Sequence, residues 1–178
     1  MVATIDLLER EGFARLTMEG VAERAGVGKA SLYRRWPNKV ALVVEVVRRL
    51  AQPQVDLPDT GNLHDDMLAY VRIIVRSRRA KADILGAVGN ELVSHPELAQ
   101  AFRTEILAVL RSKFTILIQR GIDRGELPAS TDVELLADLP PALLHHRHLS
   151  TGEPMDERLM RRIVDQFFPK APRSRRQA

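Results

Sequence analysis

Between Glu23 and Glu45 the chain has no acidic residue, while Lys29, Arg34, Arg35 and Lys39 fall inside that window together with Ala30, Ser31 and Tyr33. Side chains of these types can recognise a nucleic acid. An arginine can donate a bidentate pair to guanine, an alanine methyl can meet a thymine methyl, and Lys, Ser and Tyr can hold phosphate oxygens. On a helix the outward positions pair as Lys29 with Tyr33, Ala30 with Arg34 and Ser31 with Arg35. The exposed surface is then small near the helix start, where a backbone could approach base edges, and basic further on. An ordinary solvated helix face would also be basic, so the decision rests on the elements that position these residues.

Those elements are legible from Thr17 to Lys39. Thr17 can cap a helix that has Glu19 in its first turn and Met18, Val21, Ala22 and Ala25 at the spacing of one apolar face. Gly26 stands where a helix ends in the left-handed conformation, and Val27 follows as the hydrophobic residue that closes such an end. After Gly28 the pattern resumes, with Leu32 and Trp36 four apart and facing the core together with Val27. Pro37 stops this second helix. Asn38 can cap the next, which places Lys39 and a set of free backbone amides at a helix start as a second phosphate anchor. Two short helices, a tight turn and a basic outward face describe a helix-turn-helix.

Composition sets wider bounds. The 178 residues allow a substantial core, in one large or two small domains. A net charge of only +4 means that positive charge must be placed locally to matter, and it is concentrated in the first fifty residues and the tail. No cysteine is present, which excludes disulfide scaffolds, thiol catalysis and Cys-based zinc sites. No secretory signal or bilayer-spanning apolar run is visible, so a soluble, cytoplasmic protein with no membrane partner is the expectation.

The segment AGVGKASLYRRWPNKVAL resembles the DNA-binding signature of TetR-type bacterial transcriptional regulators, in which Ala-Gly-Val-Ser-Lys-Gly-Thr-Leu-Tyr is followed by two variable residues, an aromatic, Pro, Ser or Asn, and Lys. The resemblance is specific over residues 12–50, and TGEPMD near the end is similar to a loop between the last two helices of many members. It implies an all-α protein of about nine helices, in which an N-terminal helix-turn-helix domain precedes a helical ligand-binding and dimerisation domain. It implies no enzyme and no cofactor. The expected partners are double-stranded DNA, a second copy of the chain through the last two helices (about 132–168), and a small-molecule effector. Residue by residue, the resemblance puts Lys29, Ala30, Ser31 and Arg34 nearest the base edges and Thr17, Tyr33, Arg35 and Lys39 on phosphates. Gly28 departs from the usual Ser, which implies weaker capping of the second helix. The start at Met1 implies that part of a longer, more basic first helix is missing.

The expected division is 1–51 for the helix-turn-helix domain, 52–62 for a Pro- and Gly-containing junction, 63–168 for the regulatory domain and 169–178 for a basic, disordered tail. Helix 1 covers about Val2 to Glu11, with Ile5 and Leu8 inward, and ends at Gly12. Helix 4 runs from Lys39 to about Ala51, with Val40, Val43, Val44, Val47 and Leu50 on one face. Further helices are expected over Leu63 to Arg79, Ala82 to Val93, Pro96 to about Gly121, Asp132 towards Leu149, and Asp156 to Phe167 with an end at Pro169. Pro140 and Pro141 should kink or restart the penultimate helix. Tyr70, Ile74, Phe102, Ile106, Phe114 and Leu143 are candidates to line an effector pocket, and a mostly apolar lining would suit an apolar effector; filling the core is the competing role. His145, His146 and His148 near Asp138 raise a metal or hydrolytic reading. His146 points away from the other two and no carboxylate pair or HExxH pattern completes a site, so no metal is expected. The function expected is therefore a repressor that binds a near-palindromic operator as a homodimer and is released by its effector. The alternatives are a constitutive regulator with a filled core and, further off, a histidine-dependent metal hydrolase.

Overall fold

A computed structural model describes residues 1–50, 56–147, 151–168 and 170. Residues 51–55, Leu149, Pro169 and residues 171–178, on which parts of the junction, two helix ends and the tail were placed, lie outside the described residues. All regular structure among the described residues is helical: α1 Val2–Arg15, α2 Met18–Ala25, α3 Lys29–Arg35, α4 Lys39–Leu50, α5 Leu63–Ala80, α6 Ala82–Gly89, α7 Pro96–Ala101, a π-helical segment Phe102–Leu107, α8 Ala108–Asp123, α9 Val133–His146 and α10 Glu157–Phe167. The backbone stays right-handed through Ala101, Phe102 and Ala108, so α7, the π segment and α8 follow one another without a turn. No described helix is long and apolar enough to cross a membrane.

Two compact units divide these elements. One holds α1 to α4, α6, α7 and the π segment, and the other holds most of α5, nearly all of α8, and α9 and α10. The grouping does not follow chain order. In the first unit α6 packs on α1, and α7 and the π segment pack on α4.

The first unit shows why. On α4, Leu42, Val43, Val46 and Val47 are all at most 1% exposed, and Val40, Val44 and Leu50 are partly buried against the same core. The periodic stripe found Val43 and Val47 but left out Leu42 and Val46, because α4 is covered on more than the one side it offers to α1. Ile84, Val88, Leu98 and Ala101 complete this core. Burial lowers the pKa of the Lys81 ammonium, which donates to the Leu50 carbonyl at the end of α4 (2.9 Å). Gly12 has φ 76 and interrupts α1 where the first helix was expected to end.

In the second unit, Tyr70 and Phe114 meet edge to face at 5.0 Å within a core that includes Met67, Val71, Leu117, Leu144 and Val164. Asp66 is fully buried and satisfied: it accepts from the Thr60 hydroxyl (2.7 Å) and from Arg124 (3.0 Å). The helix does not restart at Pro140 and Pro141, for α9 is helical across both. Proline's fixed φ is itself helical, and the cost of the missing N–H donors and the ring clash is opposed here by tertiary packing. Ala137, Pro140 and Leu144, at helical spacing, are all buried.

The ring nitrogens of His64 lie 2.9 Å from Asp65 Oδ1 and 2.8 Å from Asp165 Oδ1, tying the start of α5 to α10. The His64 hydrogen bond first, then that of Asn62, hold the Asp65 carboxyl at about 2, below its ordinary 3.8. Because this pKa is depressed on folding, its stabilisation is fully present above pH 3.8 and is lost as pH falls towards 2. In an NMR titration Asp65 should therefore titrate near 2, and in His64→Asn it should move up towards 3.8. An unmoved Asp65 would show that the ring does not hold this carboxylate.

Candidate nucleic-acid interface

The turn between α2 and α3 is built from local interactions that the residues dictate. The Thr17 side chain accepts from the Gly20 N–H at 3.1 Å, satisfying one of the free amides at the start of α2. At the other end Gly26 adopts φ 65, ψ 33, a left-handed conformation that glycine enters without steric cost. The Val27 N–H then bonds to the Ala22 carbonyl at 3.0 Å, closing the helix end. The Val27 side chain departs from expectation. It is 45% exposed, so only Leu32, buried, and Trp36, partly buried, turn inward from this segment. The sharp chain reversal fixes the Val27 backbone first and leaves its side chain outside the core.

Gly28 precedes α3 without a side-chain cap, as its lack of a hydroxyl requires. Lys29, Ala30, Ser31, Tyr33, Arg34 and Arg35 are all exposed on α3. Lys29 and Arg34 have no hydrogen-bond or ion-pair partner among the described residues, so their charges face solvent. Arg35 lies over the Trp36 ring at 4.8 Å, a cation–π contact that orients the guanidinium beside the helix. The Tyr33 hydroxyl donates to Glu19 Oε1 at 3.2 Å, joining α3 to α2. Glu19 was read only as a favourable first-turn charge; its contact with Tyr33 depends on the crossing of two helices, which spacing along the chain does not give.

Lys39 sits differently from its neighbours. Asn38 Oδ1 accepts from the Ala41 N–H at 2.8 Å and so caps α4. The Lys39 ammonium donates to the carbonyls of Phe13 (3.2 Å) and Ala14 (3.4 Å) and lies 4.5 Å from the centre of the Phe13 ring. In this conformation it neutralises carbonyls at the end of α1. Thr17 is exposed, close in sequence to that same helix end.

The six pocket candidates divide between the two cores. Tyr70 and Phe114 are buried in the second unit with Ile74 and Leu143 packed against them, whereas Phe102 and Ile106 pack against the core of the first. Burial pushes the Tyr70 phenol pKa up, so the group is a neutral hydroxyl. Of the histidine cluster, His148 lies outside the described residues, and the nearby Asp138 carboxylate is engaged by Arg111 at 2.9 Å.

A capped α2, a left-handed glycine turn and an α3 with an exposed basic face define a helix-turn-helix DNA-binding protein. Two family models agree: residues 1–46 match the model described as bacterial regulatory proteins, tetR family, and residues 57–167 match tetracyclin repressor-like, C-terminal domain. The chain belongs to the TetR family of transcriptional regulators, whose members are DNA-binding proteins and not enzymes. It is 32% identical to the HTH-type transcriptional regulator Rv1556 of Mycobacterium tuberculosis, over 98% of this chain and 87% of that protein. A DNA-binding transcriptional repressor TetR of Mycobacteroides abscessus is 30% identical over 93% of this chain and 87% of its own length. Among solved structures, the TetR family transcription regulator SCO0332 superposes with a TM-score of 0.70 at 29% identity, covering 96% of this chain and 95% of that one.

The Thr17 cap gives a direct test of how α2 is held. Thr17→Ala should cost about 1 kcal/mol of stability in denaturant unfolding, and an unchanged midpoint would mean that water replaces the cap at no cost.

Proposed function

We propose that the chain is a repressor that binds a near-palindromic operator as a homodimer and leaves it when a small, largely apolar effector binds. The observation that carries the DNA reading is the outward face of α3, where Lys29, Ala30, Ser31 and Arg34 are exposed and small residues precede the basic ones. In this reading these four lie nearest the base edges, and Thr17, Tyr33, Arg35 and Lys39 hold phosphates. Lys39 would exchange two carbonyl acceptors for a phosphate, and Tyr33 would give up Glu19. The relative named as a DNA-binding transcriptional repressor supports the sign of regulation.

For the dimer, α9 offers a stripe suited to a second copy: Leu135 is 60% exposed, with Leu139 half-buried and Ala142 exposed one and two turns on. Two recognition helices held by one dimer can read two half-sites whose spacing the dimer sets. The effector in this reading meets Tyr70, Ile74, Phe114 and Leu143, and acts through its different affinity for the DNA-bound and free conformers. The closed packing of Tyr70 on Phe114 favours one second reading, a constitutive regulator whose core stays filled. An effector that lowers operator affinity separates the two, and equal ligand affinity for free and DNA-bound protein would remove the first.

Selection from a random duplex pool at near-physiological salt should return a near-palindromic site; recovery of no preferred sequence would overturn the specific-binding reading. On that site Arg34→Ala should relax base preference at one position per half-site, at about 1–3 kcal/mol. Lys39→Ala should instead weaken all sequences alike and flatten the salt dependence. The reverse pattern would exchange their roles. Leu135→Asp should shift the sedimenting species from dimer to monomer, and a dimer that survives it would place the interface elsewhere.

A further inference from the structure

Three of the residues read above as phosphate anchors already have partners inside the protein. Tyr33 donates to Glu19, Arg35 lies over the Trp36 ring, and Lys39 is held most fully of the three. Its ammonium donates to the Phe13 carbonyl at 3.2 Å and to the Ala14 carbonyl at 3.4 Å, and it lies over the Phe13 ring at 4.5 Å from the centre. Lys29 and Arg34, read as base contacts, have no hydrogen-bond or ion-pair partner among the described residues.

The ring under Lys39 is a fixed platform. Phe13 is 3% exposed in one core with Leu8, Leu16 and Leu42, and the His95 ring packs against it with centroids 5.0 Å apart. Lys39 is only partly buried, so the ammonium can leave while the ring stays. Two attractions oppose its leaving. The carbonyls of the last turn of α1 carry partial negative charge and are short of helical partners. An aromatic face adds a preference for the cation of about two- to fivefold in an equilibrium at such an exposed position.

We propose that Phe13 is a positioning residue for DNA binding: its ring holds the Lys39 ammonium in a resting position from which a backbone phosphate has to draw it, and so sets how tightly any duplex is bound. This rests on Lys39 being a phosphate anchor. The contact acts before any base is read, so it lowers affinity for all sequences alike and leaves the ratio between them unchanged. Weakening the ring's hold neither adds nor removes a phosphate contact. The same ammonium reaches the same phosphate from a less stable start.

The test uses the full chain and a mixed-sequence duplex, since phosphate contacts need no operator. Phenylalanine carrying one, two or three ring fluorines is placed at position 13, which changes the ring's shape little and withdraws negative charge from its face. Affinity should rise stepwise, by about two- to fivefold per protomer for the trifluoro ring, with the slope of log affinity against log salt unchanged. In Lys39→Ala the slope should become shallower by about 1 per protomer, and fluorination should then have no effect. That dependence separates a hold on Lys39 from a change in core packing, which would act with or without the ammonium. Phe13→Leu, which removes the ring outright, should give the same Lys39-dependent rise and serves should the fluorinated chains fold poorly. Unchanged affinity across the series, with Lys39→Ala still weakening binding, overturns the role of the ring and leaves Lys39 as an anchor. A stepwise fall overturns it as well, for the ring would then be presenting the ammonium to DNA. If Lys39→Ala alters neither affinity nor slope, Lys39 is no anchor and both readings fall together.

Discussion

Leu42, Val43, Val46 and Val47 of α4 take part in one core with Leu8, Phe13 and Leu16 of the N-terminal segment and with Ile84, Val88 and Leu98 of the later helices. Each such side chain, removed from water, contributes about 1.5–3 kcal/mol before the entropy of ordering it is counted. The reading surface depends on this burial. A helix-turn-helix of some fifty residues alone would bury little of its surface and be marginal. The packing of α6 and α7 on α1 and α4 gives the short helices α2 and α3 a stable base. The same contact explains why residues downstream of α5 belong physically with the DNA-binding elements.

Around that base, the exposed face is arranged by local constraints. The Thr17 cap and the left-handed Gly26 set the crossing of α2 and α3, and the Leu32 side chain anchors α3 inward. What remains outward is decided by subtraction: once Leu32 is buried, Lys29, Ala30, Ser31, Arg34 and Arg35 have nowhere else to point. Charge then follows geometry. The absence of acids from residues 24–44 keeps Lys29 and Arg34 unpaired, whereas Lys39, at a helix start close to exposed carbonyls, finds acceptors inside the protein.

The second unit solves a different problem, the burial of ionisable groups. Asp66, fully buried, and His64, nearly so, are tolerated because each has partners from elements distant in sequence: Arg124 for Asp66 and Asp165 for His64. Removing one partner of such a pair leaves the other's desolvation uncompensated, so these contacts hold the N-terminus of α5 firmly. By contrast Arg158 and Arg162, exposed on α10, have no hydrogen-bond or ion-pair partner among the described residues.

Residue order alone determined what depends on neighbours within four or five positions. The caps at Thr17 and Asn38, the left-handed turn at Gly26 and the placement of basic residues on one face of α3 all follow from periodicity and backbone preference. Tertiary structure decided whatever depends on which helices meet. It buried Leu42 and Val46 as well as the expected stripe and left Val27 outside. It also carried α9 through Pro140 and Pro141, divided the six pocket candidates between two cores, and set Glu19 against Tyr33. Local pattern specifies a helix and its apolar side with energies of about 1 kcal/mol per interaction. The number of sides covered, and the partner of each buried charge, are fixed by larger packing and desolvation terms between residues far apart in the chain, and no short-range spacing encodes those.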